Sequence, residues 1–309
     1  MKFNFRFIEK KNLWFLLSIC FIGAGLVTMG MRAVQSKPIM NFGIDFVGGT
    51  TILLKIEALD IQQTSQDTDF KSINLKFIEE IRAVISSFGL EKSTIQITQS
   101  REILIKTVQL NSQTSTKVID ALTRKFGPIE ILEIDFIGPT IGEELRTISL
   151  WIILTVTVAL LFYITWRFEF IFGIAALLAL LHDALALTSF AALFNVEINT
   201  AYIAALLTIL GYSINDTIVV FDRVRENLTK LKKRHGLTAI ANISINQTLL
   251  RSINTSMTTL FVVGCLLLFG GTTIKPFTLI LMVGVIAGTY SSIFIASPVL
   301  VMLFPKEKR

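Results

Sequence analysis

The chain has 309 residues, 52% of them hydrophobic, with a mean hydropathy of +0.65 and a formal net charge of +6. This composition is too apolar for a soluble globular protein. The basic residues are gathered in three segments that border apolar stretches, which argues against a nucleic-acid-binding protein and for a signal that sets membrane topology.

Apolar segments of helix length recur along the chain. About 20 apolar residues cross the hydrocarbon core as a helix, and six segments reach or approach that length: Leu13–Met31, Leu150–Trp166, Ile171–Phe194, Ala201–Phe221, Ser256–Gly271 and Phe277–Phe304. No small-x-small cleavage site ends the first segment, so we expect an uncleaved helix rather than a signal peptide. The sequence predicts a polytopic α-helical membrane protein with six transmembrane helices.

The basic segments predict how the chain is oriented. They precede the first span, lie between the fourth and fifth, and follow the sixth. Six spans place these segments on one side, which the positive-inside rule makes cytoplasmic. The predicted organisation is a cytoplasmic N-terminus at 1–12, a first transmembrane helix at 13–32, a periplasmic domain at 33–146, helices two to six within 147–304 with a basic cytoplasmic loop at 222–251, and a cytoplasmic tail at 305–309.

The periplasmic segment alternates between strand and helix patterns, with a polar loop at 60–69. The predicted elements are the strand Thr50–Glu57, the helix Phe70–Phe88, the strands Thr94–Gln99 and Glu102–Val108, the helix Ser115–Phe126 and the strand Ile129–Phe136. The order βαββαβ is that of an α+β, ferredoxin-like domain. This segment has no histidine, no cysteine and no Gly-rich phosphate loop, so we do not expect an enzyme.

Two glycine-containing segments flank this domain. Gly48 and Gly49 precede the first strand, where glycines permit unusual backbone angles and close backbone approach. A tight turn and a binding or hinge role are both open. Gly138 and Pro139 break the chain where it returns to the membrane.

An Asn-Asp pair, Asn215 and Asp216, interrupts the fourth span. A carboxylate within a span costs about 2.5–3.5 kcal/mol on insertion scales, so it is rare without a task. Tyr212 and Ser213 lie four and three residues before Asp216, on the same helix face, and are predicted hydroxyl neighbours. Asp216 is either a carboxylate near the membrane interface or a site linked to ion or proton movement.

A second titratable pair, His182 and Asp183, lies about midway along the third span. Such groups are costly in a membrane unless they are satisfied internally. They either form an interhelical hydrogen bond that fixes packing or provide a second station on an ion path.

Arg251 and Thr255 belong to a polar stretch that opens the fifth span. Arg251 either extends to the cytoplasmic interface or is the counter-charge of Asp216, in which case protonation of Asp216 would release the pair and let the helices shift. In the sixth span Gly284 and Gly288, followed by Tyr-Ser-Ser, predict a helix-packing face.

Several of these segments, taken together, resemble the SecF family, membrane subunits of the bacterial Sec protein-translocation apparatus. They are, in order, FVGGT, IGPTIGEELR, LLHDALALTSF, LLTILGYSINDTIVVFDRVREN, RSINTSMTTL and GTYSSIFIASP. The most specific is Gly-Tyr-Ser-x-Asn-Asp-Thr running into Phe-Asp-Arg. The resemblance covers essentially the whole chain.

The resemblance implies a multi-pass protein of the bacterial inner membrane, with both termini cytoplasmic, that promotes late preprotein translocation with SecD. The SecYEG channel and SecA are implied partners, with YajC and YidC as further ones, besides preproteins and membrane lipids. The resemblance implies that the proton motive force drives this translocation and that no cofactor is needed. It also implies ion-coupling roles for Asp216 and Arg251. Whether protons or sodium ions flow is open.

Two other functions compete with this one. One is a half-unit of a proton-driven RND-type small-molecule exporter, but such pumps carry two six-span repeats with much larger exported domains. The other is a scaffold or sensor, in which Asp216 and Arg251 could be replaced without consequence. Buried polar groups in three spans would then reduce stability for no gain.

Overall fold

The computed structural model describes residues 5–56, 70–91, 93–98, 101–231, 234–271 and 274–304. In chain order the elements are α1 (Lys11–Val34), α2 (Ile44–Val47), β1 (Gly49–Ile56), α3 (Phe70–Ser86), β2 (Thr94–Ile97), β3 (Glu102–Thr107), α4 (Ser112–Phe126), β4 (Ile129–Ile137), α5 (Pro139–Arg167), α6 (Phe170–Phe194), α7 (Thr200–Leu231), α8 (Leu237–Phe269), α9 (Lys275–Ser291), a π-helical turn (Ser292–Ala296) and α10 (Ser297–Leu303).

The chain forms two compact units, which we call the α+β unit and the membrane unit. The α+β unit is Phe42–Ile148, and the membrane unit comprises Met1–Asn41 and Ser149–Arg309. The four strands of the α+β unit form one antiparallel sheet in the order β2-β3-β1-β4. The predicted βαββαβ order and the α+β class of this region are confirmed.

The core of the α+β unit lies between one face of this sheet and the helices α3 and α4. Alternate residues of β1 point into it, because successive side chains of a strand face opposite sides. Each helix adds residues spaced four apart, which lie on one helical face. The rings of Phe77 and Phe126 stack with centroids 5.0 Å apart. The buried set is Ile52, Leu54, Ile56, Phe77, Ile81, Ile85, Leu90, Ile95, Ile103, Ile105, Leu110, Val118, Leu122 and Phe126.

The predicted strand and helix bounds of this unit agree with the structure to within three residues. The largest difference is at α4, which begins at Ser112 rather than Ser115. Its N-cap is Asn111, whose side-chain oxygen accepts a hydrogen bond from the Thr114 amide at 2.7 Å, a favoured arrangement at a helix start. The predicted loop at 60–69 lies outside the described residues.

Six helical segments within the described residues are long and apolar enough to cross a membrane. They are α1, α5, α6, α7, α8 and the run Lys275–Leu303, which contains α9, the π-helical turn and α10. The predicted six-span architecture is confirmed. α6, α7 and the last run are the most buried, so they form the centre of the membrane unit.

The basic loop predicted at 222–251 is helical at both ends. α7 continues to Leu231 and α8 begins at Leu237, well before the predicted start of the fifth span at Ser256. Charged residues continue α7 because Glu226 pairs with Arg223 and Lys230 at helical spacing. The apolar length of a segment therefore predicted where each helix lies but not where it ends, since polar turns extend α7 and α8 beyond the apolar stretch.

The two glycines of the predicted packing face in the sixth span lie against α7. A methyl group on Gly288 would come within 2.9 Å of Ser213 Cβ, and one on Gly284 would clash with Ile209. Gly25 of α1 is packed equally closely against Ser189 of α6. Small residues allow this close approach of transmembrane helices.

Candidate ion-coupling site

The carboxylate of Asp183 lies at the centre of the membrane unit and is fully buried. Ser213 of α7 donates a hydrogen bond to its Oδ2 at 2.5 Å, and Ser291 of α9 donates to the same oxygen at 2.8 Å. The neighbouring His182 places Nδ1 3.1 Å from Oδ1. Both carboxylate oxygens therefore have partners, as burial of such a group requires.

His182 connects this carboxylate to α1. Its Nε2 lies 3.0 Å from Ser18 Oγ, and Ser18 in turn donates to the hydroxyl of Tyr290 at 3.3 Å. Tyr290 donates to the backbone carbonyl of Trp14 at 2.7 Å. A continuous series of polar contacts thus runs from α1 to Asp183, and it includes the interhelical hydrogen bond that was one of the two sequence interpretations.

The second buried carboxylate is that of Asp216 on α7, which is 7% exposed. Ser292 donates a hydrogen bond to its Oδ2 at 2.8 Å. Ser292 is the first residue of the π-helical turn and directly follows Ser291, the partner of Asp183. The two carboxylates are therefore held by consecutive hydroxyls of one segment.

The predicted hydroxyl neighbours of Asp216 bond elsewhere. Ser213 donates to Asp183, and the hydroxyl of Tyr212 lies 3.5 Å from Ser256 Oγ on α8. Their shared helix face was identified correctly, but each hydroxyl reaches a different neighbouring helix. Asn215, next to Asp216 in the sequence, is exposed.

The counter-charge pair of Asp216 with Arg251, one of the two alternatives for Arg251, is not formed among the described residues, since no ion pair joins them. Arg251 is exposed on α8, whereas Ser252 and Ser256 face the interior. Consecutive helical residues point about 100° apart, so Arg251 is turned away from the buried face. Thr255 is also exposed, and its hydroxyl donates to the carbonyl of Arg251 at 2.9 Å.

Arg251 instead lines an open cleft between α7 and α8. Its other lining residues are Val219, Asp222, Arg223, Glu226, Gln247 and Thr248. Within the cleft, Arg223 donates to Gln247 at 2.6 Å and pairs with Glu226. The cleft is therefore polar and carries charges of both signs.

In the α+β unit, the predicted hinge residues lie together. Gly48 and Gly49 have φ values of 75° and 148°, in the region that favours glycine. A Cβ on Gly48 would lie 3.0 Å from Pro139 Cα, and one on Gly49 would lie 2.6 Å from the carbonyl oxygen of Thr107. Gly138 has open space around it. The paired glycines thus allow backbone to pack against the start of α5.

A half-buried cation, Lys106, lies in the same unit. Burial lowers the pKa of Lys106, and the nearby carboxylate of Asp45, on the short helix before Gly48, acts in the opposite direction and raises it. Within the described part of the chain, no group of three or more His, Cys, Asp or Glu side chains is arranged to hold a metal ion.

Ser18, Ser291 and Ser292 are site residues that the sequence pattern did not predict. The Tyr-Ser-Ser sequence of the sixth span predicted only part of a packing face. The available signal was the presence of two consecutive hydroxyls in an apolar span, directly after a pair of packing glycines.

The fold and site define a class: a six-span membrane protein with two buried, hydroxyl-bound carboxylates and one α+β unit. Two family models match this chain. The family model "Protein export membrane protein SecD/SecF, C-terminal" matches residues 117–306, and the "SecD/SecF GG Motif" model matches residues 40–58. The chain belongs to the SecD/SecF family of protein export membrane proteins, as its sequence segments predicted.

Relatives named protein translocase subunit SecF align over nearly their full length. The one from Desulfurispirillum indicum is 39% identical over 300 residues, covering 94% of this chain and 88% of its own. The one from Sebaldella termitidis is 34% identical over 300 residues, covering 97% and 92%. The predicted SecF resemblance is confirmed.

The chain is also similar to solved structures of SecDF. The crystal structure of SecDF from Thermus thermophilus, a translocon-associated membrane protein, has a TM-score of 0.79 and 32% identity over 97% of this chain. A structure of SecDF in a super-membrane-facing form has a TM-score of 0.66 and 31% identity over 98% of this chain. This chain spans 38% and 39% of the length of those two chains.

Proposed function

We propose that this chain is a SecF subunit that couples ion movement through its membrane unit to late preprotein translocation. One observation carries the proposal. Asp183 and Asp216 lie on two central helices, both buried, and each accepts a hydrogen bond from the sixth span. Buried ionisable residues of this kind mark ion and proton pathways in membrane proteins. The full-length SecF relatives supply the export context.

The coupling step follows from the chemistry of the two carboxylates. An ionised carboxylate only accepts hydrogen bonds, whereas a protonated one also donates. A proton on Asp183 therefore changes the hydrogen bonds that Ser213 and Ser291 make with it. Since these serines belong to α7 and α9, uptake and release of a proton favours different arrangements of three helices, which is the two-state element that transduction needs.

His182 and Arg251 have separate roles in this proposal. His182 joins α1 to Asp183 and is the second titratable station on the ion path. Arg251 acts in the cleft beside α7 rather than as a fixed counter-charge of Asp216. Asn215 and Thr255 are exposed neighbours of these groups and support the path indirectly. The driving force is a transmembrane gradient of protons or sodium ions, with protons favoured by the imidazole, and no cofactor is required.

The proposed partners follow from the family. The matching family model describes SecD and SecF together, and the similar solved structures are of SecDF, so we propose a SecD-like protein as partner. The SecYEG channel and SecA are the proposed translocation partners, with YajC and YidC as accessory ones. The protein is a multi-pass membrane protein, and we propose the bacterial inner membrane with both termini cytoplasmic, as its basic segments favour.

Replacement of each carboxylate tests the proposal. Asp183→Asn and Asp216→Asn preserve side-chain size, and Asp120→Asn, at an exposed position on α4, is the matched control. Pulse-chase labelling of a secreted preprotein is carried out in cells depleted of the native copy. We expect slowed export with the first two variants and normal export with the control. Normal export with both buried variants, at wild-type levels of assembly with the SecD-like partner, would exclude ion coupling through these carboxylates.

A further inference from the structure

Two adjacent serines of the sixth span hold different carboxylates. Ser291 donates to Asp183 and Ser292 donates to Asp216, both at 2.8 Å. We infer that Ser291 and Ser292 are positioning residues that join the two carboxylates into one unit, so that a change of charge at one alters the hydrogen bonding at the other. This inference rests on the proposed ion-coupling function and adds the residues through which its two carboxylates communicate.

The geometry of the sixth span explains how one segment serves both sites. Consecutive helical residues point about 100° apart, so neighbouring hydroxyls reach two different helices, α6 and α7. The π-helical turn begins at Ser292, and Ser297 donates a side-chain hydrogen bond to the Ser292 carbonyl at 3.3 Å. Single π-helical turns inside α-helices occur frequently at functional sites.

The segment before the turn is held in place, whereas the turn connects to other elements. Gly288 fixes α9 against α7 at Ser213. Within the turn, Phe294 contacts Trp14 of α1 at a centroid distance of 4.4 Å and Phe7 at 5.6 Å. A displacement of Ser292 is therefore expected to move the turn and, through these rings, α1, rather than α9.

Within the described residues, few ionisable groups contact either carboxylate. Asp183 is faced by His182 from its own helix and by serine hydroxyls from α7 and α9. Asp216 is faced by the Ser292 hydroxyl. Across the described ranges no lysine or arginine forms an ion pair with either carboxylate. The hydroxyls of the sixth span are thus the shared polar contact of the two sites.

The test measures each carboxylate separately. A hydrophobic carbodiimide modifies protonated carboxyl groups, and mass spectrometry gives the pH midpoint of modification at Asp183 and at Asp216. The full-length chain is used in membrane vesicles together with its SecD-like partner. Of the two carboxylates, Ser292 contacts only Asp216, so Ser292→Ala would change Asp216 alone if the sites were independent. We expect it to shift the midpoint of Asp216 by about one pH unit, the size expected for loss of one hydrogen bond to a carboxylate. The midpoint of Asp183, which keeps its own serine, should shift by a smaller but measurable amount.

Two further variants control for altered packing. Ser292→Thr retains the hydroxyl and should restore both midpoints towards wild type. Thr289→Val removes a hydroxyl one turn earlier that bonds to Ser256 rather than to either carboxylate, and it should shift neither midpoint. If Ser292→Ala does not assemble, Ser291→Ala provides the reciprocal measurement at Asp216.

A shift confined to the carboxylate that loses its own serine would overturn the inference. The midpoints do not depend on preprotein export. Normal export with both Asp183→Asn and Asp216→Asn would therefore count against the proposed function alone, whereas independent midpoints would count against the serine link alone.

Discussion

Gly288 of α9 lies against Ser213 of α7 so closely that a Cβ at position 288 would be 2.9 Å from Ser213 Cβ and 3.2 Å from its Oγ. Ser213 is also the residue that donates to Asp183 at 2.5 Å. Helix packing and the hydrogen bonding of the carboxylate therefore depend on the same contact.

We accordingly expect Gly288→Ala to disturb both the packing of α9 against α7 and the hydrogen bond from Ser213 to Asp183. Overpacking of this kind costs about 1–3 kcal/mol in the free energy of unfolding, which can be measured by denaturation of the purified protein in detergent. Gly264→Ala on α8 is the matched control, because a Cβ there meets no atom within 4 Å. Alanine is more favourable than glycine in a helix by about 1 kcal/mol, so this variant should not lose stability. Equal stability of the two variants would contradict the close contact.

Ser18 provides a test of how α1 is attached. Its hydroxyl bonds to His182 and Tyr290 on two other helices. We expect Ser18→Ala to lower the free energy of unfolding by about 1 kcal/mol, as is typical of an interhelical hydrogen bond in a membrane protein. Thr28→Ala on the same helix removes a hydroxyl that bonds only within α1, to the Ala24 carbonyl. Thr28→Ala should lower the free energy of unfolding by less than Ser18→Ala does. Equal losses in the two variants would show that the hydrogen bonds of Ser18 to the other helices contribute nothing.

The features that were predictable from sequence are those determined by local patterns. Alternation along β1, with Ile52, Leu54 and Ile56, indicated a strand with one buried face, and the structure buries those residues. The partners of buried hydroxyls were not predictable, because they depend on how each helix is rotated against its neighbours. Ser213 and Asp216 share a helix face, yet they bond to different partners. The same rotation exposes Arg251 and separates it from Asp216.

The paired glycines of the α+β unit combine backbone strain with close packing. Gly49→Ala would place a Cβ 2.6 Å from the Thr107 carbonyl oxygen at a φ of 148°. Gly127 has a φ of 86° but no atom within 4 Å of an added Cβ, so Gly127→Ala isolates the strain, about 1–2 kcal/mol. We expect Gly49→Ala to lower the free energy of unfolding of the full chain by more than Gly127→Ala does. A smaller loss than Gly127→Ala would show that the contact with Thr107 relaxes without cost.

Lys106 gives a prediction of pH dependence. Burial lowers its pKa below the ordinary value of 10.5, although Asp45 raises it in part. Between the lowered pKa and 10.5, the unfolded chain binds more protons at this residue than the folded chain, so the free energy of unfolding rises with pH across that window.

We expect Lys106→Met to remove that rise, measured as the difference in unfolding free energy from wild type at alkaline pH. Lys117→Met, at an exposed position on α4, controls for the loss of one positive charge and should retain the rise. A difference curve for Lys106→Met that is flat across the alkaline range would show that its pKa is the same in the folded and unfolded chain.

The separation of Asp216 from Arg251 can be tested by a double-mutant cycle. Residues without contact or shared partners have additive effects within about 0.3–0.5 kcal/mol, whereas contacting residues couple by about 0.5–3 kcal/mol. We therefore expect Asp216→Asn and Arg251→Gln to be additive in the free energy of unfolding. The cycle of Asp183→Asn with Ser213→Ala should show coupling, because those side chains are 2.5 Å apart. Coupling of Asp216 with Arg251 as strong as that of the second pair would indicate that the counter-charge arrangement is the stable one and that Arg251 turns inward.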